Sequence, residues 1–356
     1  MSPLALESAV PDPSALTTIA TPGLWAGTIA AVIALLVFDF LITRKPHEVS
    51  FKEALGWSAF YIALPLAFGA WVWLAHGSDI GVKYYTGYIV EKSLSVDNLF
   101  VFILILGAFA VPRVLQQRVL LIGVAGAIVL RGIFIALGAG LIATFDWTFL
   151  LFGAILLATA VKVLRDARST EDEHVDPAEM RIVKVMSKVF PVTGDYHGTK
   201  ATVLMNGRRA LTPLALVMAA IITTDLVFAV DSVPAVYGIT ADPYLVFATN
   251  AFALLGLRAL YFVLEGALSK LVHLGYGLSV ILAFIGVKLV LHWAHGVWPA
   301  VPTVPTLWSL VVIVGVLAVT TVTSLRASRR AEEEAAAADH HAFVDPAPGP
   351  GRPDAG

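Results

Sequence analysis

The chain has 356 residues, no cysteine and a formal net charge of −2, with 58% of its residues hydrophobic and 14% charged; its mean hydropathy is +0.81. Soluble domains carry about 25% charged residues, so this composition belongs to a polytopic membrane protein. The near-neutral charge gives no footing to a nucleic-acid partner, and the absence of thiols excludes disulfides, Cys nucleophiles and thiolate metal sites, which leaves oxygen and imidazole as ligands.

Residues 1–23 contain no Lys or Arg and so lack the basic start of a secretory signal; they read as an external leader. Apolar runs of roughly 20 residues follow near 24–43, 55–75, 84–110, 118–144, 147–164, 211–240, 243–264, 271–293 and 306–325, each long enough to cross the hydrocarbon core. The predicted fold is therefore all-α with about nine transmembrane helices, five in a first half (24–164) and four in a second (211–325). With the N-terminus outside, the inner loops hold Arg44, Lys45 and Lys52, then Arg113 and Arg118, then eight Lys or Arg between 165 and 209, then Lys270, then Arg326, Arg329 and Arg330, whereas the outer loops hold Lys83 alone. That asymmetry predicts an N-out, C-in topology, in keeping with an odd number of spans.

The polar stretch 165–210, with Glu171, Asp172, Glu173, His174, Asp176 and Glu179 ahead of Arg181, Lys184 and Lys188, reads as a solvated cytoplasmic linker with a short amphipathic helix; an ion-sensing loop is the other reading. Residues 326–356, with Glu332 to Glu334, an Ala run, His340-His341 and then Pro and Gly, cannot bury a core and are expected to be a disordered cytoplasmic tail.

Two apolar runs each carry a pair of acids six residues apart. One reads Glu91-Lys92-Ser93-Leu94-Ser95-Val96-Asp97-Asn98, the other Asp225-Leu226-Val227-Phe228-Ala229-Val230-Asp231-Ser232. A charge at the centre of a membrane helix costs at least about 2.5 kcal/mol, so such residues mark function. The halves match further: Arg131 and Lys162 follow the first pair and Arg258 and Lys288 the second, with Arg-to-Lys separations of 31 and 30 residues. Spans 3–5 (repeat 1, within 81–164) and spans 6–8 (repeat 2, within 211–293) thus form a repeat of three helices. Three is odd, so the second copy enters the membrane from the opposite side, the inverted plan of many secondary transporters, whose site lies at the midplane.

At about 100° per residue, Glu91, Ser95 and Asn98 share a helical face while Asp97 points away, and Asp225 aligns with Ser232. If both acids of each pair are to meet, the helices must bend: Pro234 is expected to kink span 6 and free the carbonyl of Val230, and Ser93 and Ser95 to bend span 3 more gently. Glu91, Asp97, Asn98, Asp225, Asp231 and Ser232 would then form an oxygen-rich cage, suited to Mn²⁺, Mg²⁺ or Ca²⁺ rather than Cu⁺ or Zn²⁺. Lys92, Arg131, Arg258 and Lys288 form an accessory charge network; either they neutralise the acids in a purely structural role, or the arginines hold the site while empty and release it to a cation. Met218 reads as a core residue, the histidines as interfacial and the Trp residues as an aromatic belt.

The two acid motifs, the second continuing to Val233-Pro234-Ala235-Val236-Tyr237-Gly238-Ile239-Thr240, closely resemble those of the TerC/Alx family of bacterial integral membrane proteins, and the resemblance covers about residues 24–325. It implies residence in the bacterial cytoplasmic membrane and links to tellurium resistance, metal homeostasis and manganese efflux, in a group with the LysE-type exporters. It also carries the family's acids onto Glu91, Asp97, Asp225 and Asp231. The expected function is a secondary transporter that exports a divalent cation, Mn²⁺ before Ca²⁺, with protons as the exchanged ion; the absence of a P-loop argues against direct ATP drive. The chain is expected to be no enzyme and to hold no permanent cofactor; its partners are the metal ion, the bilayer and, as an option, further copies of itself. The rival expectation is a non-transporting membrane partner in tellurite stress or in the metallation of exported proteins.

Overall fold

A computed structural model describes residues 18–43, 49–145, 147–168, 180–205, 208–265 and 273–344, with the side chains of Asp97, Phe100 and 331–344 outside that description. The helices in chain order are α1 (Pro22–Ile42), α2 (Phe51–His76), α3 (Ser78–Ala108), α4 (Arg113–Thr144), α5 (Thr148–Asp166), α6 (Arg181–Val189), α7 (Pro213–Tyr237), α8 (Pro243–Leu255), α9 (Leu257–Leu264), α10 (Leu274–Val297) and α11 (Thr306–Val344). A hairpin of β1 (Thr202–Met205) and β2 (Arg208–Leu211) lies between α6 and α7, with Thr202 opposite Leu211.

Local chemistry fixes several boundaries. Thr21 accepts from the Leu24 amide ahead of Pro22, Ser50 from the Glu53 amide, and Asp242 from the Tyr244 amide ahead of Pro243. Each is a side-chain cap on an otherwise orphaned helical N–H, and proline at the first helical position gives up a donor that had no partner. Between α2 and α3 the chain turns at Gly77, whose φ of 90° suits a residue without Cβ.

Among the described residues, seven helices are long and apolar enough to cross a membrane: α1, α2, α4, α5, α7, α10 and residues 306–330 of α11. The pair α8 and α9, bent by 44° across Gly256, makes an eighth if it is one span. α3 is 31 residues long, and Glu91, Lys92 and Asp97 make its central stretch less apolar than its neighbours.

One apolar core is shared by α2, α3, α4, α7, α8 and α9, with Tyr84, Leu99, Phe102, Leu120, Val217 and Phe252 buried in it. A second joins α5, α10 and the end of α7 through Phe152, Leu156, Tyr237, Leu282 and Ile285. Glycines permit the close approaches: a Cβ on Gly153 would lie 2.9 Å from the Gly286 carbonyl oxygen, so α5 and α10 meet backbone to backbone. Apolar side chains of α1 and α11, among them Ile33, Leu41, Leu307 and Val319, are exposed, as expected of helices at a lipid-facing rim.

α7 continues as a helix through Pro234 to Tyr237, and a bend of 44° separates α8 from α9. The 165–210 segment, where described, holds the expected short helix as α6 and is largely exposed, and it adds a hairpin: Val192 bridges Leu211, and the Tyr196 hydroxyl donates to the Phe109 carbonyl at 2.9 Å. α11 runs to Val344 rather than stopping near 325, because Ala and Glu are strong helix formers even where no core is available. Residues 345–356 and the expected external leader up to residue 17 lie outside the described residues.

Candidate membrane-embedded charge site

Glu91 and Asp225 occupy the 14th of 31 positions in α3 and the 13th of 25 in α7, which places both near mid-helix. Both are fully buried, and both engage Arg131 of α4, itself 1% exposed. The guanidinium takes Asp225 in a fork, Nε to Oδ2 at 3.2 Å and Nη2 to Oδ1 at 3.1 Å. Nη1 donates to Glu91 Oε1, to Ser232 Oγ at 2.9 Å and to Asn250 Oδ1 at 3.0 Å. With its amide turned so that the nitrogen donates to the Leu94 carbonyl at 3.1 Å, Asn98 accepts from Nη2 at 3.1 Å. Four helices thus aim six side chains at one point, and the planar fork of arginine uses its five donors there.

A buried charge is tolerated when it is paired and hydrogen-bonded, and Arg131 meets both conditions. The carboxylates are served less evenly. Asp225 has a donor on each oxygen, whereas Glu91 Oε2 and, one helical turn along, Ser95 Oγ are buried without a hydrogen-bond partner. Two carboxylates against one guanidinium leave one unit of negative charge when all three are ionised.

Of the expected ligands, Glu91, Asn98, Asp225 and Ser232 come together. Asp231 is half-buried, and the hydrogen bonds of Arg131 do not include it; the Asp97 side chain lies outside the described residues. Ser93 makes its expected bond to the Ile89 carbonyl at 2.6 Å. The accessory network divides: among the described side chains, Arg131 is the member that engages Glu91 and Asp225. Lys92 donates to the Ala253 carbonyl at 3.1 Å and Lys288 to Ser309 Oγ at 3.0 Å. Arg258 forks onto Asp39 of α1 at 2.9 and 2.5 Å and donates to Gln117 at 3.1 Å. Asp39, Gln117 and Asn250 carried no expectation; the signal for Asp39 and Asn250 was a lone polar residue inside an apolar run, the pattern that singled out the acids. Among the described residues no three His, Cys, Asp or Glu side chains are grouped to hold a metal, so the oxygens around Arg131 are two carboxylate groups plus neutral Asn and Ser.

The family model described as the integral membrane protein TerC family matches residues 76–332. The chain belongs to the TerC family. It is 43% identical over 275 residues to the uncharacterized membrane protein STKORF319 of Myxococcus xanthus, covering 77% of this chain and 85% of that one. It is 43% identical over 275 residues to the uncharacterized membrane protein Rv2723 of Mycobacterium tuberculosis, covering 76% and 68%. It is 40% identical over 286 residues to the putative membrane-bound redox modulator Alx of Escherichia coli K12, covering 78% and 88%. No solved structure matches. All six residues of the Arg131 cluster fall inside the TerC match, while Asp39 and the whole of α1 fall before it.

Proposed function

We propose that this TerC protein is a secondary transporter that exports a hard divalent cation, Mn²⁺ before Ca²⁺, across the bacterial cytoplasmic membrane. The observation that carries the reading is Arg131 seated on Glu91 and Asp225 near the middles of α3 and α7, with Glu91 Oε2 and Ser95 Oγ left unpartnered. Arg131 stands in for cargo: two carboxylates balance one divalent ion, and Asn98, Ser232 and Asn250 add the neutral oxygens that such ions accept. When the metal arrives the guanidinium withdraws; when it leaves, Arg131 or protons neutralise the acids, which links export to the proton gradient.

The transporter reading counts α3 as a ninth span and treats α3–α5 and α7–α10 as an inverted repeat. In its support, α3 packs on α7, α4 on α8 and α5 on α10, and both crossed pairs, α3 with α8 and α4 with α7, are made. A two-fold relation between the halves generates that set. The excess of Lys and Arg in the loops assigned to the inside supports an N-out, C-in orientation.

The name of the Alx relative raises redox modulation as a second reading. Thiol–disulfide exchange has no carrier here, since the chain has no cysteine. A non-transporting partner role would leave function indifferent to the buried acids. The test is metal flux into inverted vesicles holding the purified protein, with Mn²⁺, Ca²⁺, Mg²⁺ and Zn²⁺ compared. Glu91→Gln and Asp225→Asn are expected to lower Mn²⁺ flux at least about tenfold, as loss of a metal-site group does. Flux equal to that of the unmodified protein would overturn the site and favour the partner role.

A further inference from the structure

The segment between α5 and α7 has a use that cation transport does not absorb. From Arg181 to Arg209 it carries six Lys or Arg, namely Arg181, Lys184, Lys188, Lys200, Arg208 and Arg209, against one acid, Asp195. In α6, Arg181, Lys184 and Lys188 recur at helical spacing and form one exposed stripe. A second face holds the helix to the protein: Val183 is buried and Ile182 packs on the core. Between these faces lie Val185 and Val189, 58% and 66% exposed, followed by Phe190 at 47%. Three apolar side chains are left uncovered beside three cations.

The contacts of this helix bring it beside the ends of two long helices. α6 packs on α7, which begins at Pro213, and the loop after it is tied by Tyr196 to Phe109 at the end of α3. α3 ends and α7 begins there, which in the nine-span reading puts α6 at the membrane boundary.

We propose that α6 is an interfacial anchor which lies on the leaflet at that boundary and binds its anionic phospholipids. Val185, Val189 and Phe190 enter the upper acyl region, and Arg181, Lys184 and Lys188 meet headgroup phosphates, the division of labour of helices that lie in an interface plane. Each basic residue near an anionic surface contributes about fivefold to the partition, so the three together contribute about 100-fold.

The missing cysteines make the test clean. Full-length protein carrying Val185→Cys or Val189→Cys, labelled with an environment-sensitive fluorophore, is reconstituted into phosphatidylglycerol or phosphatidylcholine vesicles and exposed to nitroxide lipids or to aqueous iodide. Lys200→Cys serves as the water-exposed control. The expected result is strong lipid quenching at 185 and 189 in phosphatidylglycerol, lost in phosphatidylcholine, at high salt and in Arg181→Gln/Lys184→Gln/Lys188→Gln protein. Three results would overturn the proposal: quenching by iodide alone, shielding from both quenchers, which would mean that protein covers the face, or equal lipid quenching in the two vesicle types. The comparison of lipids uses unmodified basic residues, so it stands even if the triple variant folds poorly.

Discussion

Replacing Arg131 by Gln removes the cation that sits on Glu91 and Asp225, the one such cation among the described residues, and leaves two fully buried carboxylates facing each other's charge. Breaking a buried ion pair by removing one partner costs about 3–5 kcal/mol, because the remaining charge is stranded. Asp225→Asn is milder: Arg131 keeps Glu91, the cluster becomes neutral and an amide oxygen still accepts, so the loss is that of a charge-assisted bond, about 1.5–3 kcal/mol. In the double variant only Glu91 remains charged, which restores the net charge of the original cluster. The two changes should therefore couple, with the double variant at least about 2 kcal/mol more stable than additivity gives. Unfolding of the purified proteins in mixed micelles, followed by far-ultraviolet circular dichroism, measures all four corners of the cycle. Additivity within about 0.5 kcal/mol would refute a shared site and mean that Arg131 and Asp225 do not touch in the folded protein.

Two further outcomes follow from the packing and from the loop. Gly286→Leu should separate α5 from α10 and cost about 1–3 kcal/mol in the same unfolding assay, since even a Cβ there would stand 3.1 Å from the Gly153 carbonyl oxygen; Gly296→Leu, with open space around it, should cost nothing comparable. Burial pushes the Tyr196 phenol up to about 12 from about 10. The folded state then prefers the neutral phenol, so its contribution is fully present below pH 10 and is lost as pH rises from about 10 through 12; Tyr196→Phe should remove that alkaline component of the unfolding profile along with the bond to Phe109.

Much of the bundle was legible because lipid leaves the backbone few choices. An apolar run of about 20 residues must satisfy its own amides, and a helix is the way to do so, which is why α1, α5, α7 and α10 lie within a few residues of the runs that foretold them. Glu91 and Asp225 stood out by their cost, and Asn98 and Ser232 by sharing their faces. Helical periodicity, however, does not say how each helix is rotated about its neighbours. Hence Arg258 was expected beside the acids yet pairs with Asp39, and Asn250 went unnoticed on α8. Proline was read as the stronger breaker, yet α7 stays helical through Pro234 while the chain bends by 44° between α8 and α9 at Gly256. The hairpin had a local signal too, the Asn206-Gly207 dipeptide between Met205 and Arg208, a strong short-range marker of a two-residue turn.

The bond between Asp39 and Arg258 joins residues 219 apart in the chain, and ribosomes add about 5–20 residues per second. For about 10–45 s of synthesis, α1 holds a carboxylate whose cation has not yet been made. α1 is therefore among the later helices to be secured, and its final position is written by α9, which is made long after it.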